Sequence, residues 1–282
     1  MKRAGLILVV LMMAVRLSAQ TYEEWCDRAL FAIEHDSLPQ AEQYIREALK
    51  RDPANARNAL LFSNLGLIQR SQHKYDEALE SYNFALSMAP RNVVILLNRA
   101  ALCMELGKYK QAKVDYSLVL DLQPANREAL LMRAYIYRQE KDYRSARADY
   151  DTLLKHIPQD FEGRLGLAML EQKDKKYDVA LALLTRMIDE KAEGTSLLTS
   201  SRHAVVYVAR AGVEKELGNN DRALMDLNEA IRLDASLSEA YWVRGQIYLL
   251  QQQKNLARRD FEQAAALGIP MSEIGSWLEQ CR

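Results

Sequence analysis

The chain of 282 residues reads as an all-α solenoid: seven antiparallel helix pairs in a row, closed by one further helix. Three observations predict this: a fixed 34-residue spacing of apolar landmarks, helical periodicity inside each period, and prolines at one recurring place. Gly66, Tyr75, Ala78, Tyr82, Ala85 and Pro90 are followed 34 residues on by Ala100, Tyr109, Ala112, Tyr116, Val119 and Pro124. The next step gives Ala134, Tyr143, Ala146, Tyr150, Leu153 and Pro158, and a fourth gives Ala168, Tyr177, Ala180, Leu184, Met187 and Ala192. A unit this short has no core of its own, so each block buries its apolar faces on its neighbours.

The amino terminus precedes the array. Lys2 and Arg3 form a basic start, residues 4–15 are apolar, and Leu17-Ser18-Ala19 ends in a small residue before Gln20. This predicts a secretory signal peptide over 1–19, with an uncleaved anchor as the alternative. Cys26 is too far from the apolar run for a lipid anchor. The expected location is outside the cytoplasm: the periplasm or cell envelope of a bacterium, or the secreted fraction. No integral membrane span is expected in the mature chain.

With Gly66 set at repeat position 8, seven blocks follow: 22–55, 59–92, 93–126, 127–160, 161–194, 204–237 and 238–271. Residues 56–58 and 195–203 are insertions, the second read as a tolerated surface segment. Apolar positions 4, 8 and 11 mark one face of a first (A) helix, and 17, 20, 21, 24, 27 and 28 one face of a second (B) helix. Small residues at positions 8 and 20, such as Gly66 with Ala78, are expected where the two helices cross. Pro53, Pro90, Pro124 and Pro158 share position 32, where a missing amide donor ends the B helix. Beyond the last block, Met271, Ile274, Trp277, Leu278 and Cys281 form a helical stripe, so 271–282 is predicted to be a capping helix.

A small residue, a tyrosine nine residues on, an alanine three further, an aromatic or leucine four further and a proline eight further resembles the tetratricopeptide repeat. Trp25 matches the family's aromatic at position 4 of the first block. The resemblance implies a right-handed superhelix whose concave surface is lined by the A helices. It also implies a scaffold for proteins or peptides, a role that the fold leaves open as to client.

Two positions vary together. Arg99, Arg133, Arg210 and Arg244 at position 7 accompany Asp115, Asp149, Asp226 and Asp260 at position 23, while Leu65 and Leu167 accompany Ser81 and Leu183. The pattern predicts an arginine–carboxylate bridge within a block or between neighbours. Arg28 breaks it, facing Tyr44 in the register.

Charge and chemistry exclude other classes. The chain has 38 basic and 38 acidic residues, and without residues 1–19 it has 35 and 38, so no basic excess exists to neutralise phosphates. Nucleic acid is not an expected partner. The three cysteines make no disulfide framework: Cys103 occupies a core position, and Cys26 and Cys281 lie in the first and last elements. His35, His73, His156 and His203 lack the short spacing of metal ligands or of a nucleophile and its base. No catalytic, cofactor or metal residue is therefore assigned, and the chain is read as a non-enzyme. Gly163, Gly166 and Gly212 in predicted A helices are read as close-packing positions.

By the resemblance, positions 2, 5, 9, 12 and 13 of the A helices line the groove, with Glu105, Lys173 and Glu216 among those at 13, and Asn64 and Asn98 at position 6 match the family's common asparagine. In the second block the expected groove residues are Leu60, Ser63, Asn64, Leu67 and Arg70, and in the third Val94, Leu97, Asn98 and Ala101. Leu131, Tyr135 and Arg138 follow in the fourth, Leu165 and Met169 in the fifth, Val208 in the sixth and Trp242 in the seventh. The floor is apolar and the lip charged. The family's clamp for a terminal carboxylate is missing, because its positions hold Ser63, Leu67, Asn98, Glu128 and Met132. The expected function is an exported interaction scaffold, with a self-assembling envelope protein, such as a homodimer through the amino-terminal end, as the alternative.

Overall fold

The computed structural model describes residues 21–192 and 199–282. Among the described residues it contains fifteen helices and no strand. They are α1 (Tyr22–Glu34), α2 (Leu38–Arg51), α3 (Asn58–Ser71), α4 (Tyr75–Met88), α5 (Val93–Glu105), α6 (Tyr109–Leu122), α7 (Arg127–Gln139) and α8 (Tyr143–His156). There follow α9 (Phe161–Lys173), α10 (Tyr177–Ala192), α11 (Ser200–Glu216), α12 (Asn220–Leu233), α13 (Ser238–Leu250), α14 (Lys254–Ala266) and α15 (Met271–Gln280). Odd numbers up to α13 are A helices and even numbers B helices. The chain forms two compact units that divide after Ala129, within α7. The predicted signal peptide lies outside the described residues.

Local chemistry starts and stops each helix. Thr21 and Glu24 form a reciprocal capping box on α1. At position 34, Asn92, Asn126 and Asp160 accept backbone N–H bonds from the first turns of α5, α7 and α9, so these three blocks cap their successors. The prolines two residues earlier remove the donor that would carry the B helix past this point. The insertion contributes to a helix: Thr199 caps α11, and Ser200 to His203 lengthen it at its start.

Every A-to-B turn has the same geometry. Asp36, His73, Gly107, Lys141, Lys175, Gly218 and Gln252, all at position 15, have φ between 54° and 79°. The N–H at position 16 then reaches back to the carbonyl at position 11, as from Lys108 to Cys103 and from Asn219 to Glu214. Glycine enters this region freely, but a side chain there costs roughly 1–2 kcal/mol. Five of the seven turns carry that cost.

The anticipated bridge is present four times. Arg99 donates Nε and Nη2 to the two oxygens of Asp115 at 2.8 and 2.7 Å. Arg133 with Asp149, Arg210 with Asp226 and Arg244 with Asp260 repeat this two-pronged geometry at 2.7–2.9 Å. Nη1 also grips the B helix of the preceding block, from Arg99 on Asn83, Arg244 on Asn228 and Arg210 on Thr185, at 2.8, 2.7 and 3.1 Å. One guanidinium thus ties three helices. All four aspartates are buried, and Asp115 is wholly so. The bond to Asp115 holds the Arg99 guanidinium above its usual pKa range. Where the arginine is missing, Ser81 instead donates to Gln69 across α3 and α4 at 2.7 Å.

Packing corrects one expectation and refines another. The small residue at position 8 accommodates the ring at position 24: a Cβ on Gly66 would sit 2.9 Å from Tyr82, and one on Gly245 would sit 2.7 Å from Phe261. Gly163 and Gly166 are likewise pressed, by Leu153 and by the Tyr150 ring. Gly212 is not, because a Cβ there would only touch Gln172 at 3.6 Å. Ile274, Trp277 and Leu278 of α15, with Cys281 just past its end, pack on Phe261 and its neighbours, but Met271 faces solvent at 59% exposure. Cys281 and Cys103 are buried, so neither presents a thiol for bonding between chains, and Cys26 is half-buried.

Removing a partner from the clamp strands a charge in the core. Asp115→Ala is expected to cost about 3–5 kcal/mol, with a coupling to Arg99 in a double-mutant cycle, measured by urea unfolding. Lys141→Gly and Gly212→Ala are expected to raise stability by about 0.5–1 kcal/mol each. The first relieves a left-handed turn and the second repairs a helix interior, and thermal melts check both.

Candidate functional site

In the first unit, the A helices α3 and α5 are in contact and share a surface. Leu60, Leu67 and Val94 are 53%, 49% and 59% exposed, although each is a large apolar side chain. Asn64, Leu97, Asn98 and Ala101 are half-buried between them. Ser63 is 4% exposed and receives a long 3.5 Å contact from Asn98 Nδ2, so it belongs to the floor and offers no side chain to a partner. At the lip, Arg70 donates to Glu105 at 2.7 Å, and the Tyr75 hydroxyl lies 2.9 Å from His73 Nδ1. The arginine bond holds the Glu105 carboxyl below its usual range.

In the second unit the expected groove residues divide in the same way. Leu131 and Val208 are buried, Leu165 and Tyr135 are half-buried, and Met169 is exposed. The Arg138 guanidinium lies over the Tyr135 ring at 5.4 Å. Trp242 is held in an aromatic cluster, 5.5 Å from Phe261 and 5.7 Å from Trp277 of α15, where it supports the closing helix. Lip charges are again used internally. Gln172 donates to Glu216 at 2.9 Å, and Lys215 donates to Gln246 at 2.6 Å, with burial pushing the Lys215 amine down.

Sequence reasoning missed this ladder, in which position 12 of one block meets position 13 of the next. Its signal was present in the pairs Arg70 with Glu105 and Gln172 with Glu216. It also missed a shallow cavity of about 390 Å³ on the B-helix side, lined by Arg210, Glu214, Arg222 and Met225 among others. No three His, Cys, Asp or Glu side chains among the described residues are grouped as a metal site would need. No helix among them is long and apolar enough to cross a membrane.

Models of the tetratricopeptide repeat match residues 59–92, 93–126, 131–195 and 209–271. The chain belongs to the tetratricopeptide repeat family. Its similarity to a tetratricopeptide repeat protein from Parabacteroides merdae reaches 33% identity over 92% of this chain and 98% of that one, with a TM-score of 0.77. PilF of Pseudomonas aeruginosa shares the fold at 19% identity and a TM-score of 0.58, over 80% of this chain and 97% of the other. YrrB, a tetratricopeptide repeat protein with an unusual peptide-binding site, does so at 17% identity and 0.53, over 70% and 95%. No curated protein matches the chain. In this family member Leu60 and Val94 at position 2 and Leu67 and Met169 at position 9 are left exposed on the A helices, while Ser63, Leu131 and Val208 at position 5 are buried.

Burial sorts the tetratricopeptide groove positions into floor and surface, and charge tests the sorting. Leu60→Asp or Leu67→Asp is expected to change stability by less than about 0.5 kcal/mol, whereas Leu131→Asp is expected to cost about 3 kcal/mol or more, read from urea titrations.

Proposed function

We propose that this tetratricopeptide repeat chain is a non-catalytic scaffold whose A-helix surface receives a segment of another protein. The single observation that carries the reading is the trio Leu60, Leu67 and Val94, each about half exposed on contacting helices. Large apolar side chains left in water on adjoining helices are an interaction surface in waiting, since burial of each returns about 25 cal/mol per Å². Peptide and protein binding are typical uses of this fold, and the peptide-binding site of YrrB is one instance. The polar ladder supports the same role by fixing the A helices side by side, so that a partner meets a preformed surface.

Export to a bacterial envelope is part of the proposal, supported by the basic start, the apolar run 4–15 and the small residue before Gln20. Self-association is a second reading. Phe84, Met88, Val114 and Leu118 are exposed on the B helices α4 and α6, where a second copy would find apolar surface.

A photocrosslinker placed at Leu67 and at Val94, in cells of the native host, is expected to trap one and the same partner, and at Glu80 on a B helix to trap none. Leu60→Asp/Leu67→Asp/Val94→Asp is expected to lose that partner without changing the melting temperature. Retention of the partner by the triple variant overturns the reading. Trapping only of the chain itself transfers support to self-association.

A further inference from the structure

The lip ladder has one junction with the wrong charges for internal pairing. Position 12 of one block bonds to position 13 of the next in Arg70 with Glu105 and in Gln172 with Glu216, whereas Lys215 at position 12 turns to Gln246 at position 9. At the junction of the fourth and fifth blocks the same two positions hold Arg138 and Lys173. Neither cation has a carboxylate within salt-bridge reach among the described residues. Arg138 is instead laid over the Tyr135 ring, which restricts the guanidinium to the A-helix surface.

A second feature lies beneath it. Gly166 has no side chain, and the Tyr150 hydroxyl occupies the space its Cβ would take, 2.7 Å from the ideal Cβ position. Arg138 is close enough to Tyr150 to oppose the upward pull of burial on its phenol. In the second unit the phenol therefore packs on the bare backbone of Gly166 and feels the charge of the Arg138 guanidinium. Tyr135 and Met169, both at position 9, add half-buried and exposed apolar surface alongside.

We propose that Arg138 and Lys173 form a subsite for an acidic side chain of a peptide whose flanking residues are apolar. Two cations at the register positions that bond across a junction elsewhere, here without an internal counter-ion, attract a carboxylate, and an anion between them offsets their mutual repulsion. Apolar surface beside the cations calls for apolar residues around that carboxylate, which makes it a side chain and not a chain end. The missing clamp for a terminal carboxylate points the same way. This subsite rests on the proposed scaffold reading and gives it a partner chemistry: an acidic, apolar segment.

The test uses fluorescence anisotropy on the full chain with two short labelled peptides, amidated at the end, one alternating leucine and glutamate and the other leucine and glutamine. The glutamate peptide is expected to bind about tenfold more tightly, with the preference fading in high salt. Lys173→Glu rebuilds the internal pair seen at Arg70 and Glu105, and is expected to abolish the preference while leaving the melting curve and the glutamine peptide's affinity unchanged. Arg138→Gln is expected to weaken only the glutamate peptide. Equal binding of the two peptides by the unaltered chain, undiminished preference in Lys173→Glu, or no binding of either overturns the subsite. Failure here alongside a partner trapped at Leu67 leaves the scaffold reading standing, whereas failure of both removes it as well.

Discussion

The interaction on which this architecture most depends is the arginine at position 7 and the buried aspartate at position 23. A solenoid has no central core to enforce the angle between its units, so something local must set it. Apolar side chains exclude water but are indifferent to small rotations. A guanidinium with two bonds to one carboxylate is not, because both donors lie in one plane and lose strength together when it tilts. The third donor, on Asn83, Thr185 or Asn228, extends that constraint to the previous block. Four repetitions of this arrangement give the helix pairs a common internal register, while the rings of Tyr82, Tyr150 and Phe261 pack on the glycines opposite them.

Much of this was legible in the chain alone, for definite reasons. The 34-residue period survives because each landmark meets the same neighbour in every block, so Tyr, Ala and Pro recur with no need for an alignment. The arginine–aspartate coupling was visible because the blocks with leucine at position 7 also lack the aspartate, Arg28 with Tyr44 being the one exception. The turn was less legible: Gly107 and Gly218 share position 15, but Lys141, Lys175 and Gln252 hide the left-handed backbone behind side chains that tolerate it poorly. The ring of Tyr82 pressed against Gly66 was also less legible, because the small residues at positions 8 and 20 do not convey how far a tyrosine ring extends.

The candidate site was the least legible part. A residue at position 5 and one at position 9 are both apolar in sequence, yet Leu131 is buried while Leu67 is half exposed. The difference comes from how closely neighbouring A helices approach, a distance no single block encodes. The lip misled for another reason. Its charges looked available to partners, but Arg70, Glu105, Lys215 and Glu216 already bond within the chain. Free charge is thereby concentrated at few places, and a surface that is nearly neutral overall can still discriminate among ligands locally.

The backward grip of the clamp also bears on how such a chain can change in length. Each arginine asks only for an aspartate sixteen residues on and a small polar group on whatever helix pair comes before it, and Asn83, Thr185 and Asn228 all satisfy the second request. A block copied or excised in whole periods would meet a compatible neighbour on both sides without any new joint having to be invented. Insertions that are not multiples of the period gain no such welcome, and the two present here fall between blocks, where the register has already been handed on. Tandem duplication is thus the growth step that this geometry admits most readily.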